Sequence, residues 1–173
     1  PVKLGNYVYE EPLKERSLVP GFNCIVAIMI GTLIFRCCLD SGSARTLIRT
    51  SVREQIAKSA KTKAAIKERA KIKGQLTCSG VCDGMKSGTI DNLCDLSLQF
   101  QPLDMQGHQP PKSPEFEIEA VELDNAADAV LIGFPDLVKW GVAFEDDADG
   151  NVWVHFKRFG FTVLAEGRKP KGK

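Results

Sequence analysis

The chain has 173 residues and no apolar run long enough to cross a membrane as a helix. Its longest, Cys24 to Phe35, covers twelve residues and is interrupted at Gly31-Thr32, against the roughly twenty that a span requires. It also lacks a dominant charge. Lys and Arg number 23, Asp and Glu 22, and the formal net charge is +1, which removes any whole-molecule pull toward nucleic acid or an anionic membrane. Histidine is scarce: His108 and His155 fall in a loop and a strand with no partner spacing, so neither reads as catalyst or ligand. The six cysteines include no C-x-x-C pair. Cys78 and Cys82 bracket three residues and Cys24, Cys37, Cys38 and Cys94 are scattered, so neither a zinc site nor a required disulfide framework is indicated. Buried, reduced thiols are expected, and no metal or cofactor. The compartment stays open, an intracellular one (cytoplasmic or particle-associated) being the expectation; no signal peptide is visible.

What the chain does have is an average globular composition, 43% hydrophobic and 26% charged, in a length suited to about one domain. Its charges are segregated. Residues 49–73 hold nine basic side chains against Glu54 and Glu68, residues 115–149 hold eleven acidic ones against Lys139, and the tail from Gly150 is basic again. Such blocks read first as solvated faces. They are also the places where a protein partner would dock, the basic helix 51–73 or the acidic segment 115–149. The basic run has no interleaved aromatics to stack bases, so nucleic acid is not an expected partner, and neither is a membrane.

The pattern along the chain is mostly β. Cys24–Ile30 and Leu33–Leu39 form an apolar hairpin around Gly31-Thr32. Its second arm ends in the polar Asp40-Ser41-Gly42-Ser43, an unusual place for an acid. Ser51 and Glu54 have capping-box spacing and open an Ala/Lys-rich helix expected to reach about Ala70. Gly74 to Asp91 is glycine-punctuated and suggests a mobile hairpin. Leu93–Phe100 and Phe116–Leu123 alternate as strands, Ala129–Gly133 is fully apolar, and Pro135–Trp140 reads as a short helix closed by Gly141. Val142–Phe144 and Val152–Phe156 pair around an acidic turn, and Phe159–Ala165 is a last strand before a basic tail. Glu145, Asp147, Asp149 and Gly150 open like a calcium loop, but the bidentate glutamate position falls on Phe156, which leaves a solvated turn as the reading.

The order of these parts, with Leu39-Asp40-Ser41-Gly42 early and Leu131-Ile132-Gly133 before a helix about ninety residues later, resembles the retropepsin-like aspartic proteases of retroviruses, retrotransposons and their domesticated relatives. The likeness covers about Phe22 to Phe144. It implies a mainly β fold, a closed barrel like one half of an acid protease, with a short helix near the C-terminal side and the Lys-rich helix as an insert. Residues 1–21 would be an extension, 22–145 the domain (insert helix 51–72, flap 75–92), and 146–173 a terminal hairpin and tail.

Metal-free peptide hydrolysis needs one carboxylate to take a proton from water and a second carboxylic acid to protonate the carbonyl oxygen. The chain offers one D-[ST]-G, so the resemblance implies a homodimer in which two copies of Asp40 share a proton. Asp40, Ser41 and Gly42 are the implied catalytic triplet, supported by Leu39, Ser43 and Gly133. Gly80, Val81, Gly84 and Gly88 of the flap, with Ile132, are the implied contacts to a peptide or polyprotein substrate. Where the family usually places Asp, Asn or Arg within two positions of the second glycine, this chain has Phe134-Pro135 and only then Asp136. The alternative is a catalytically inactive copy of the fold serving as an interaction module in a larger complex. Pro1 matches the proline that opens several mature retroviral proteases, and an arbitrary boundary explains it as well.

Overall fold

A computed structural model describes residues 2–4, 7–9, 24–78, 88–105, 110, 112–124 and 126–165. Two short strands, β1 (Val2–Leu4) and β2 (Tyr7–Tyr9), pair antiparallel with each other in the segment expected only as an extension. The barrel begins with β3 (Cys24–Ile30) and β4 (Leu33–Asp40), antiparallel around Gly31. Glycine is required there twice over: φ is +60°, and an added Cβ would lie 2.7 Å from Thr62 Cγ2. Then follow β5 (Leu47–Arg49), α1 (Thr50–Lys58), a 3-10 turn (Lys63–Ala65), β6 (Ile66–Cys78), β7 (Gly88–Phe100), β8 (Phe116–Leu123) and β9 (Val130–Gly133). The chain ends with α2 (Phe134–Lys139), β10 (Val142–Asp146), β11 (Val152–Phe156) and β12 (Phe161–Leu164).

Strand order β3-β4-β9-β5-β8-β7 returns to its start because Ile28 of β3 pairs with Phe100 of β7 and Met29 with Gln99. Six strands therefore close a mixed barrel, which abolishes exposed edges among them. The mainly β closed barrel expected from the sequence is the fold observed. Two of the pairings are parallel, β4 with β9 and β5 with β8, and β6 is added outside β7 as the second arm of a long hairpin.

The Lys-rich helix is shorter than expected. It stops at Lys58, and only Val52 and Ile56 of it are buried. Two buried side chains are little to hold a longer helix, whose stability comes mostly from packing an apolar face. Residues from Ile66 onward take their backbone hydrogen bonds from β7 instead, and strand pairing overrides the helix propensity of Lys and Ala. The capping box is absent as well. The helix starts at Thr50, one residue before Ser51, with no side-chain cap at Arg49.

Alternation sorts the barrel strands into two faces. Cys24, Val26 and Ile28 of β3, Phe35, Cys37 and Leu39 of β4, Cys94, Leu96 and Leu98 of β7, and Val130 and Ile132 of β9 fill one core. At its far end Phe100 stands among the rings of Phe116 (5.3 Å between centroids), Phe156 (4.6 Å), Trp140 (6.1 Å) and Phe161 (6.3 Å). The sheet β10-β11-β12 is thereby part of the same core, where Val154, Phe156 and Val163 are buried. β10, Val142–Asp146, pairs along its whole length with β11. Replacing Phe100 by Ala should cost about 3–5 kcal/mol, visible in urea titrations as a lower midpoint at unchanged slope.

Candidate active site at the end of β4

β4 ends at Asp40 because Ser41 and Gly42 turn the chain away from the sheet. Asp40 is half-buried and Ser41 and Gly42 are exposed. Asp40 Oδ1 accepts the Gly42 backbone N–H at 2.8 Å, and its carbonyl accepts the Ser43 N–H at 3.2 Å. The Ser43 hydroxyl donates to the Arg45 carbonyl at 2.8 Å. The loop thus holds its own carboxylate in place. A Cβ at Gly42 would come within 3.2 Å of Asp40 Oδ1, so a larger residue there would press on the carboxylate.

The second anchor lies directly behind. In the parallel pairing of β4 and β9, Leu39 stands opposite Ile132 and Asp40 opposite Gly133. A Cβ at Gly133 would lie 2.5 Å from the carbonyl oxygen and 2.6 Å from the carbonyl carbon of Arg45. Only glycine lets the two backbones approach this closely. The Phe134 N–H donates to the Ser43 carbonyl at 2.7 Å. The Gly133 N–H donates to Thr46 Oγ1 at 3.0 Å, and the Thr46 hydroxyl donates in turn to Asp136. Asp136, at the third position after the glycine, therefore makes the polar tie from α2 to the loop. Sequence reasoning missed Thr46, a buried hydroxyl whose only signal was its place between the polar loop and an apolar strand.

The same alternation that sends Cys37 and Leu39 into the main core puts Cys38 and Asp40 on the opposite face. There a second apolar cluster forms from Ile25, Cys38, Leu47, Val121, Leu123, Ala126 and Leu131, with Leu93 packed against it. This cluster is the wall on Asp40's side of the sheet. Ile132, expected to touch substrate, is fully buried in the main core beside Leu39, and its neighbour Leu131 occupies the face in question. A one-residue step along a strand exchanges faces, and the sequence pattern Val130-Leu131-Ile132 is apolar on both. Arg49 secures the connection between β8 and β9, donating to the Ala126 carbonyl at 2.9 Å and the Ala127 carbonyl at 3.1 Å.

The flap residues Gly80, Val81 and Gly84 lie outside the described residues. Gly88 opens β7 opposite Cys78, so the arms of a hairpin are present on both sides of that segment. Cys24 and Cys37 are not candidates for nucleophiles. Burial pushes the Cys24 thiol up to about 12 and raises Cys37 well above its usual range, which keeps both protonated.

His108 also lies outside the described residues. His155 sits between Glu145 (Nε2 to Oε2, 2.7 Å) and Thr162 (Nδ1 to Oγ1, 2.9 Å) as a cross-strand contact. The acidic turn is built around Asp147, whose carboxylate accepts the backbone N–H groups of Asp149 and Asn151, the Asn151 amide and the Trp153 indole. No group of His, Cys, Asp and Glu among the described residues is arranged to hold a metal ion. Asp40 likewise has no second carboxyl in hydrogen-bond contact among them.

No family model matches the chain, and no curated protein sequence does. Among solved structures it is similar to the retroviral protease-like domain of Ddi1 from Leishmania major, at 11% identity and a TM-score of 0.49, covering 87% of this chain and 98% of that one. It is also similar to a retropepsin-like aspartic protease from Rickettsia conorii, at 12% identity and a TM-score of 0.38, covering 83% of this chain and 84% of that one.

Two outcomes follow from these contacts. Thr46→Val leaves the buried Gly133 N–H and the Asp136 carboxyl without their partner and should lower stability by about 1–3 kcal/mol, measured by urea unfolding. The Trp153 indole first, then the Asn151 and Asp149 donors, hold Asp147 below its ordinary 3.8. A depressed carboxylate stabilises the fold above its unfolded value, and that contribution is lost as pH falls through the folded one. Thermal melts of Asp147→Asn should therefore fall below the parent at neutral pH and converge with it in acid.

Proposed function

We propose that the chain is an aspartic endopeptidase acting as a two-fold homodimer, with one Asp40 from each protomer. The observation that supports it most is a single half-buried carboxylate, fixed by its own loop, on the face of the sheet that carries a separate apolar cluster. One carboxyl alone lacks an acid for the carbonyl oxygen, and an isologous contact between two Asp40 loops supplies it. In the dimer one carboxylate takes a proton from water while the other, protonated, donates to the carbonyl oxygen of the scissile peptide. The exposed Ser41 hydroxyl is suited to bond across the two-fold axis. Phe134, whose N–H bonds the Ser43 carbonyl of the loop, and Val138 on the same helix have 52% and 50% of their surface exposed, an apolar area that a second copy would cover.

The substrate is an extended peptide or polyprotein segment. The apolar cluster on Asp40's face of the sheet, Leu131 and Leu47 included, would back a cleft for bulky hydrophobic side chains next to the cleaved bond, and the β6–β7 hairpin serves as the flap that excludes water. Gly80, Val81, Gly84 and Gly88 are its proposed contacts to the substrate backbone.

A second reading keeps the barrel as a non-catalytic interaction module. Its support is the exposed acidic row of β8, Glu117 and Glu119, together with the basic residues of 51–73. Cleavage of a mixed peptide library at about pH 5, with sedimentation in parallel, separates the two. Asp40→Asn should reduce cleavage by roughly 10³-fold or more in a sample that sediments as a dimer. Cleavage unchanged by that substitution removes the endopeptidase reading, and an inactive, stable monomer favours the interaction module.

A further inference from the structure

β8 carries an acid where its pattern calls for an apolar residue. Phe116, Ile118 and Ala120 face the main core, and the next inward position is Glu122, only 2% exposed. An isolated carboxylate at such a place is strongly disfavoured. Here it is met from two sides. Arg53 of α1 brings Nε to 2.8 Å from Oε1, and Asn92 of β7 donates its side-chain amide to Oε2 at 2.9 Å.

Asn92 marks a break in the hairpin. From Leu98 to Asn92 the register of β7 on β8 is continuous, and it shifts between Asn92 and Ile90. On its other side β7 pairs Asn92 with Lys71 and then Ile90 with Leu76, a second shift at the same level. The pairing of β7 is thus irregular on both sides just beyond Asn92, after an earlier shift between Glu68 and Ala70 on the β6 side. Its neighbour Leu93 packs against the apolar cluster on Asp40's face, so this root borders the candidate site.

The helix that supplies Arg53 is itself held to the core and to the connection between β8 and β9. Val52 and Ile56 bury into the core on either side of Arg53. Thr50 donates to Asp124 Oδ1 at 2.6 Å, and Arg49 holds the carbonyls of Ala126 and Ala127. One short helix therefore bears on the hairpin root and on the connection that leads into β9.

We infer that the pair of half-buried Arg53 with buried Glu122, together with Asn92, is the anchor of the β6–β7 hairpin: it fixes where the hairpin departs from the barrel and so positions it at the Asp40 site. Glu122 and Arg53 are positioning residues that touch no substrate. The effect on peptide binding rests on the endopeptidase reading; the anchoring of the hairpin does not.

Hydrogen exchange on the full chain, without substrate, tests the anchor. Glu122→Gln removes the ion pair at little change of shape. Removing one partner of a buried pair can unfold a protein, whereas replacing both by apolar residues is often tolerated, so Arg53→Met/Glu122→Leu is the second variant. Loss of the anchor should speed exchange roughly tenfold in residues 66–78 and 88–93 while residues 24–39 stay within about twofold of the parent. Unchanged hairpin exchange in the double variant, or acceleration spread evenly over the barrel, overturns the inference. In cleavage assays the double variant should raise KM roughly fivefold at little-changed kcat. A parent protein that cleaves nothing removes the endopeptidase reading and leaves the exchange result to decide the anchor.

Discussion

The contact on which the site depends is the approach of Gly133 to the backbone of Arg45, where even a methyl group would lie 2.5 Å from a carbonyl oxygen. Strand β9 runs parallel to β4 only if its end can slide behind the loop that β4 feeds, and a side chain at Gly133 would hold the two apart. Once they meet, the remaining bonds follow from proximity. Phe134 N–H reaches Ser43, Gly133 N–H reaches Thr46, and Thr46 reaches Asp136. A loop of small polar residues, which alone would sample many conformations, is tied to a rigid strand and helix. That is how a scaffold preorganises a carboxylate, and the cost in conformational freedom is met during folding.

A second constraint is that a strand has two faces and the site uses the minor one. The main core takes one side of β3, β4, β7 and β9. Near the loop those strands are apolar on the other side too, forming the cluster that includes Leu47 and Leu131. β8 shows the change most clearly. Its first half alternates buried Phe116, Ile118 and Ala120 with exposed Glu117 and Glu119. At Val121 and Leu123 the outward face becomes apolar, while the inward position passes to Glu122 and its partners from α1 and β7. The end of the barrel nearest the site exchanges apolar and charged positions relative to the far end, where five aromatic rings close the core.

Much of this was legible in the sequence because it rests on local chemistry. Strand alternation, the Gly31 turn, the glycine that ends β9 and the proline-led α2 each follow from backbone preference or side-chain period, and all were found close to where they stand. The anchors Asp40-Ser41-Gly42 and Gly133 were equally readable, since an acid after an apolar strand and a glycine after an apolar run are both unusual. Less legible were the places where two local signals are nearly balanced. The Ala/Lys-rich stretch after Lys58 has good helix propensity and little to bury, and a waiting strand edge on β7 decided it. Ile132 and Leu131 are equally apolar, and only pairing with β4 says which of them shares a face with Asp40.

The sequence by itself determined the strands, their turns, the single carboxylate at the end of β4 and the glycine that must stand behind it, because those depend on side-chain period and steric size within a few residues. The tertiary structure alone decided which face of each strand meets Asp40, that Thr46 and Asp136 complete the loop, and that Glu122 is buried against Arg53 and Asn92. Those relations join positions 30 to 90 residues apart, and no local pattern encodes a contact whose two halves are brought together only when the barrel closes.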